Sequence, residues 1–136
     1  MSPRADRRDA RATSPEVDAL LHDREHPFGP AIAAIRAELL AVPGVVESVK
    51  WKAPNYALAD DFATMHLRRD NAVQLILHTG ASPKPGHPPI VLDPLPPFAR
   101  WADRNRAVLT CAEPALSGTA LEEWRSVIAR WVAQLD

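Results

Sequence analysis

The residues best equipped for chemistry fall within positions 45–81, which read VVESVKWKAPNYALADDFATMHLRRDNAVQLILHTGA. Glu47, Val49 and Trp51 alternate along a hydrophobic strand that runs into a proline-stiffened turn, with Pro54, Tyr56 and Phe62 following. Aromatic walls with a few polar groups are the common build of a small-molecule site. Trp51, Pro54, Tyr56 and Phe62 are therefore expected to edge a groove, with Lys50 and Lys52 available to an anionic group. On a regular strand Lys50 points away from Trp51. Lys52 follows the strand end and is the cation expected to reach a ligand. Glu47 is in phase with Trp51, and two readings stand side by side. It is a carboxylate placed in the aromatic pocket with Tyr56, or the strand begins at Ser48 and Glu47 sits in solvent. The second is preferred, because an inward acid is costly unless paired.

His66 and His78 are the metal-ligand candidates. With a three-residue turn at positions 70–72, Met65 and Leu67 oppose Leu77 and Leu75, and His78 becomes the diagonal neighbour of His66. Diagonal partners lie about 7–8 Å apart, which suits a shared ion only with helpful rotamers. Asp60 and Asp61 are close in sequence, yet no further ligand is evident, and ordinary surface histidines are the simpler explanation. No catalytic residue is assigned. The chain has no G-x-S-x-G turn, no phosphate-cradling glycine loop and no paired zinc-ligand spacing. Cys111 lies beside Leu109 in an apolar strand, as a buried inert thiol would.

These residues need a sheet and helices to hold them. Ser14-Pro15-Glu16 is a helix start, with a capping serine, proline at the first helical position and an acid in the first turn. The helix is expected to end near Arg24. After a break at 27–30, Phe28, Ile32, Ile35, Leu39 and Val42 form one apolar stripe, ended by Pro43-Gly44. A last helix, capped by Ser117 or Thr119, carries Leu121, Trp124, Val127, Ile128, Trp131, Val132 and Leu135 on one face. Strands are expected at 45–51, 63–69, 73–79 and 107–112. Seven of the 14 prolines fall within 83–97, so that segment is an extended connector, with room for an edge strand at 90–92. Phe98 and Trp101 fit either a helical turn or an anchored loop.

The fold class is accordingly α+β: a mainly antiparallel sheet of about four or five strands, packed against two N-terminal helices and one C-terminal helix. At 136 residues the chain is one domain, 14–136, preceded by a polar tail, 1–13, that carries Arg4, Arg7, Arg8 and Arg11. A net charge of −1 gives no reason to expect nucleic acid. No stretch approaches the ~20 apolar residues of a membrane span. One cysteine excludes an internal disulfide and points to a reducing, cytoplasmic compartment. The partner expected is a small molecule or a protein, with homodimerisation left open.

The series Glu47, Val49 and Trp51, then Pro54 and Tyr56, Phe62, and the strand ending Leu77, Thr79, Gly80 and Ala81 resembles the YdhG-like domain family, a bacterial family. The resemblance covers residues 20–81 well and the last strand and helix loosely. A glycine commonly follows the tryptophan in that family, where this chain has Lys52. The resemblance implies a sheet covered by helices and, since one member has been described as a frataxin-like iron chaperone, iron or another divalent metal as an alternative ligand. Hard cations prefer oxygen ligands. The acids Glu16, Asp18, Asp23, Glu25 and Glu38 are spread along the first two helices. The function expected is a binding or adaptor module, with metal chaperoning and an unrecognised enzyme as the alternatives.

Overall fold

The computed structural model describes residues 13–82 and 84–135. The tail arginines Arg4, Arg7, Arg8 and Arg11 lie outside the described residues. Helix α1 (Pro15–Arg24) starts as its sequence dictates: the Ser14 hydroxyl accepts the Val17 N–H at 3.3 Å, and Pro15 occupies the first turn. Glu25 closes it in the left-handed region at φ +48°. Helix α2 (Gly29–Leu40) buries Ala31, Ile32, Ile35 and Leu39. Helix α3 (Gly118–Val132) buries Trp124, Val127, Ile128 and Trp131. Across the α2–α3 seam Arg125 grips Glu38 with two bonds of 2.8 and 2.9 Å.

Six strands make one antiparallel sheet: β1 (Val46–Lys50), β2 (Ala53–Ala57), β3 (Asp61–His66), β4 (Val73–Leu77), β5 (Ala99–Asp103) and β6 (Arg106–Cys111). Their order is β1-β2-β3-β4-β6-β5. The α+β class and helix placement agree with the sequence reading; the strand count is higher. The additional strands are β2, whose Pro54 looks like turn punctuation, and β5, which contains Trp101. Phe98 anchors the entry to β5 by stacking on Trp124, ring centroids 5.2 Å apart. No strand forms at 90–92. Ile90 and Leu92 are buried there, and side chains take over the backbone pairing. The Ile90 N–H donates to Asn105 Oδ1 at 2.7 Å, and Gln134 satisfies both the N–H and the C=O of Val91.

The β3–β4 register differs from expectation by two residues. Met65 opposes Leu75, and His66 opposes Gln74. A two-residue shift preserves the faces, so the core residues remain as read. The cause lies outside the hairpin. Arg24 donates to the carbonyls of Leu67 and Arg68, and His26 bonds that of Arg69, so residues 67–69 leave the ladder. All three helices contribute to one core with Tyr56, Met65, Val73, Leu75, Leu77 and Leu109 on one face of the sheet. Asn55, Thr64, Ile76 and Val108, aligned across the ladders, occupy the opposite face.

The β1–β2 hairpin closes in two residues, since Lys50 pairs with Ala53. Both turn residues are left-handed, Trp51 at φ +54° and Lys52 at φ +60°. Such primed turns favour asparagine followed by glycine, because a Cβ is strained there. Lys52 thus adopts a glycine-like conformation at the position where the resemblance leads one to expect glycine.

Candidate functional site on the open sheet face

Glu47 corrects the reading that placed it in solvent. Strand β1 begins at Val46, and the Glu47 side chain is 0% exposed on the helix-facing side of the sheet. Its carboxylate is fully engaged. Arg36 donates to both oxygens at 2.7 Å, the Tyr56 hydroxyl donates at 2.7 Å and the Ser14 backbone N–H at 2.8 Å. Arg36 also reaches Asp18 at 2.8 Å. The bond to Glu47 raises the Arg36 pKa, and burial, reinforced by the Glu47 charge, raises that of the Tyr56 hydroxyl. This cluster ties α1 and α2 to the sheet. The acid expected in an aromatic pocket is sealed beneath helices, where no ligand could reach it.

The expected groove is likewise divided between two faces. Tyr56 and Phe62 are each 0% exposed within the core, and Pro54 is buried opposite Val49. Phe62 is there because a bulge gives β3 an extra residue: Tyr56 pairs with Ala63, but Ala57 pairs with Asp61. Lys52 lines a shallow hollow on the helix side with Glu16, Asp23 and Arg24. Trp51 alone remains 65% exposed. The proline-rich connector does not cover it.

Trp51 instead edges a groove of about 360 Å³ on the helix-free face. Thr64, Ile76 and Val108 form its floor, and His66, His78 and Arg106 stand around it. One end of that floor is a continuous polar chain. Lys50 Nζ meets Asp61 at 2.9 Å, Asn55 Nδ2 donates to Asp61 at 2.9 Å, and Thr64 Oγ1 donates to Asn55 Oδ1 at 3.1 Å. Thr64 Oγ1 also lies 3.3 Å from His78 Nε2. Strand alternation keeps Lys50 on this face with Ser48 and Asn55, opposite Glu47. It is Trp51, in the left-handed turn, that departs from the expected opposition and borders the same face. Burial pushes the His78 pKa below the ordinary histidine value, although its bond to the Gly80 carbonyl opposes the shift. His66 shifts the same way, by desolvation and by the charge of Arg68.

The two histidines are not diagonal neighbours. The His78 N–H bonds the Phe62 carbonyl, while His66 pairs with Gln74. Four residues of β3 separate those levels, roughly 13 Å of strand rise. Among the described residues no group of three or more histidine, cysteine or carboxylate side chains gathers to hold a metal ion. The helix acids do not cluster: Asp18 is committed to Arg36 and Glu38 to Arg125. Cys111 is a buried free thiol, bonded to the Glu113 carbonyl at 3.3 Å.

Arg106, Thr64, Ile76 and Val108 are the site residues that sequence reasoning missed. Period-two alternation in β3, β4 and β6 already sets the last three on one face. Only the strand order reveals that Arg106 and Trp51 border the same hollow. Comparisons of this chain with protein-family models, with curated proteins and with solved structures find no match. Among the described residues no helix is long and apolar enough to cross a membrane.

Proposed function

We propose that this protein is a non-enzymatic binding module that seats a small, flat molecule in the open-face groove against Trp51. One observation carries the reading: a large indole is held 65% exposed on a turn where its backbone is strained. Left-handed conformations at non-glycine residues cost of order 1–3 kcal/mol, and such strain clusters at functional sites. The groove has the volume of a small-molecule site, with an apolar floor and a few polar groups at its rim. The YdhG-like resemblance is compatible with this role, and a buried single thiol suits a reducing cytoplasm.

Native mass spectrometry of protein purified directly from its host tests the reading. The expected result is a stoichiometric small-molecule adduct, lost in Trp51→Ala without change in fold. An adduct that persists in Trp51→Ala, or an adduct that is a metal ion alone, would overturn it.

A further inference from the structure

The groove does not end at Arg106. A second cleft of about 350 Å³ shares His78, Gly80, Ala81 and Arg106 with it, so the two meet along one rim. The character of the walls changes across that junction. On the near side lie Trp51, Ile76 and Val108; on the far side lie Ser82, Lys84 and Arg104. The far cleft is cationic, with Lys84, Arg104 and Arg106 set against Asp103.

These cations differ in how far they are committed. Lys84 is paired with Asp60 at 2.9 Å, and Arg104 donates one bond to the His87 carbonyl. Arg106 is exposed, stands at the junction itself, and has no ion pair or side-chain hydrogen bond to any described residue. A guanidinium with its whole fork free is suited to bidentate recognition of a phosphoryl or carboxyl group. Arg104, with a single bond made, extends the donor set beyond it, which favours the three-oxygen group.

The rim that joins the clefts is built closely. A Cβ at Gly80 would lie 2.5 Å from Asp60 Oδ2 and 3.0 Å from Lys84 Cε, so the Asp60–Lys84 pair packs directly on the glycine. His78 Nδ1 lies within hydrogen-bond reach of Gly80 in either tautomer, donating to its carbonyl at 3.2 Å or accepting from its N–H at 3.3 Å. Distance then selects an elongated occupant. Arg106 lies three strands across from β2 and at the His78 end of the ladders, whereas the Trp51 turn closes β1–β2 at the His66 end, so the two are separated both across and along the sheet.

We propose that the molecule seated on Trp51 carries a phosphoryl group that Arg106 holds at the junction of the two clefts. The ligand class is a planar ring joined by a polar spacer to a phosphate, as in a nucleoside monophosphate. The assignment rests on the binding-module reading above and adds the charge and length of the ligand. Ring stacking on an exposed aromatic and phosphate capture by a free arginine supply the recognition.

Calorimetric titration of the full chain with adenosine 5′-monophosphate, adenosine and inorganic phosphate tests it. The nucleotide should bind about tenfold or more tighter than the nucleoside, as one charge-assisted contact allows. Arg106→Gln should erase that difference, and Trp51→Ala should weaken nucleotide and nucleoside alike. Equal affinity for nucleotide and nucleoside, or nucleotide binding indifferent to Arg106→Gln, would overturn the phosphoryl assignment while leaving the Trp51 groove intact. Absence of binding by all three probes, alongside a Trp51-dependent adduct in the native spectrum, would likewise reject the phosphate and retain the module. Nucleotide binding indifferent to Trp51→Ala would reject both.

Discussion

Glu47 owes its place inside the sheet–helix interface to the donors that surround it. The two Arg36 contacts, the Tyr56 hydroxyl and the Ser14 N–H together replace the water its carboxylate loses. A buried ion pair adds little over a well-packed apolar core, but breaking one leaves an uncompensated charge. Glu47→Gln should therefore destabilise the fold by about 3–5 kcal/mol, read as a lower midpoint in urea. An unchanged midpoint would mean that Arg36 is satisfied by Asp18 alone. His78 makes a second residue-level case. Its folded-state pKa lies below the unfolded value of about 6.5, so the unfolded chain binds more protons as pH falls below that value. Stability from this group is intact above about pH 6.5 and declines as pH falls through the folded pKa. Thermal melts should show that loss on mild acidification, with a flatter profile in His78→Gln. His66 shifts in the same direction, so the slope should be reduced in the variant and not abolished.

Among the elements, the helices were the most legible in the sequence, and the reason is local. Ser14, Pro15 and the spacing of Ile32, Ile35 and Leu39 act within one helix and need no partner to be read. Strand β2 hid behind Pro54, and the β3–β4 register depended on Arg24 and His26 from another element. The open-face groove was hidden for the same reason: its walls are gathered by strand order, and Glu47 found its partner Arg36 on the polar flank of a helical stripe. The β1–β2 hairpin is the element where local chemistry and fold disagree. Lys52 occupies φ +60° in a primed turn that favours glycine at that position. Lys52→Gly should stabilise the protein by about 0.5–1 kcal/mol, since relief of the left-handed Cβ strain exceeds the added entropy of the unfolded chain. Chemical denaturation measures this. A loss of stability would show that Lys52 holds the tip through its hollow beside Glu16 and Asp23.

At the scale of the whole molecule, one side chain links the core to the proposed site. Trp131 of α3 is 0% exposed, packs at 5.9 Å against Trp101 of β5, and donates its indole N–H to the His78 carbonyl at 3.0 Å. Its apolar spacing was legible in the sequence, but its hydrogen bond was not, because His78 lies 53 residues earlier. The bond fixes the backbone just where β4 leaves the sheet and turns into the Gly80 rim. Trp131→Ala removes a large buried ring and leaves the His78 carbonyl without that donor. Losses of about 3–5 kcal/mol are usual for truncating a buried tryptophan. Trp131→Phe keeps most of the ring volume but removes the donor and a few buried ring atoms, so it should cost about 1–3 kcal/mol, less than the alanine variant. The two variants separate packing from positioning. Urea denaturation should rank wild type above Trp131→Phe and Trp131→Ala lowest. Ligand affinity should fall in Trp131→Phe under conditions where the variant is fully folded, because the rim beside Arg106 loses its anchor. If Trp131→Phe matched wild type in both measurements, the indole bond would be incidental and α3 would serve the core alone.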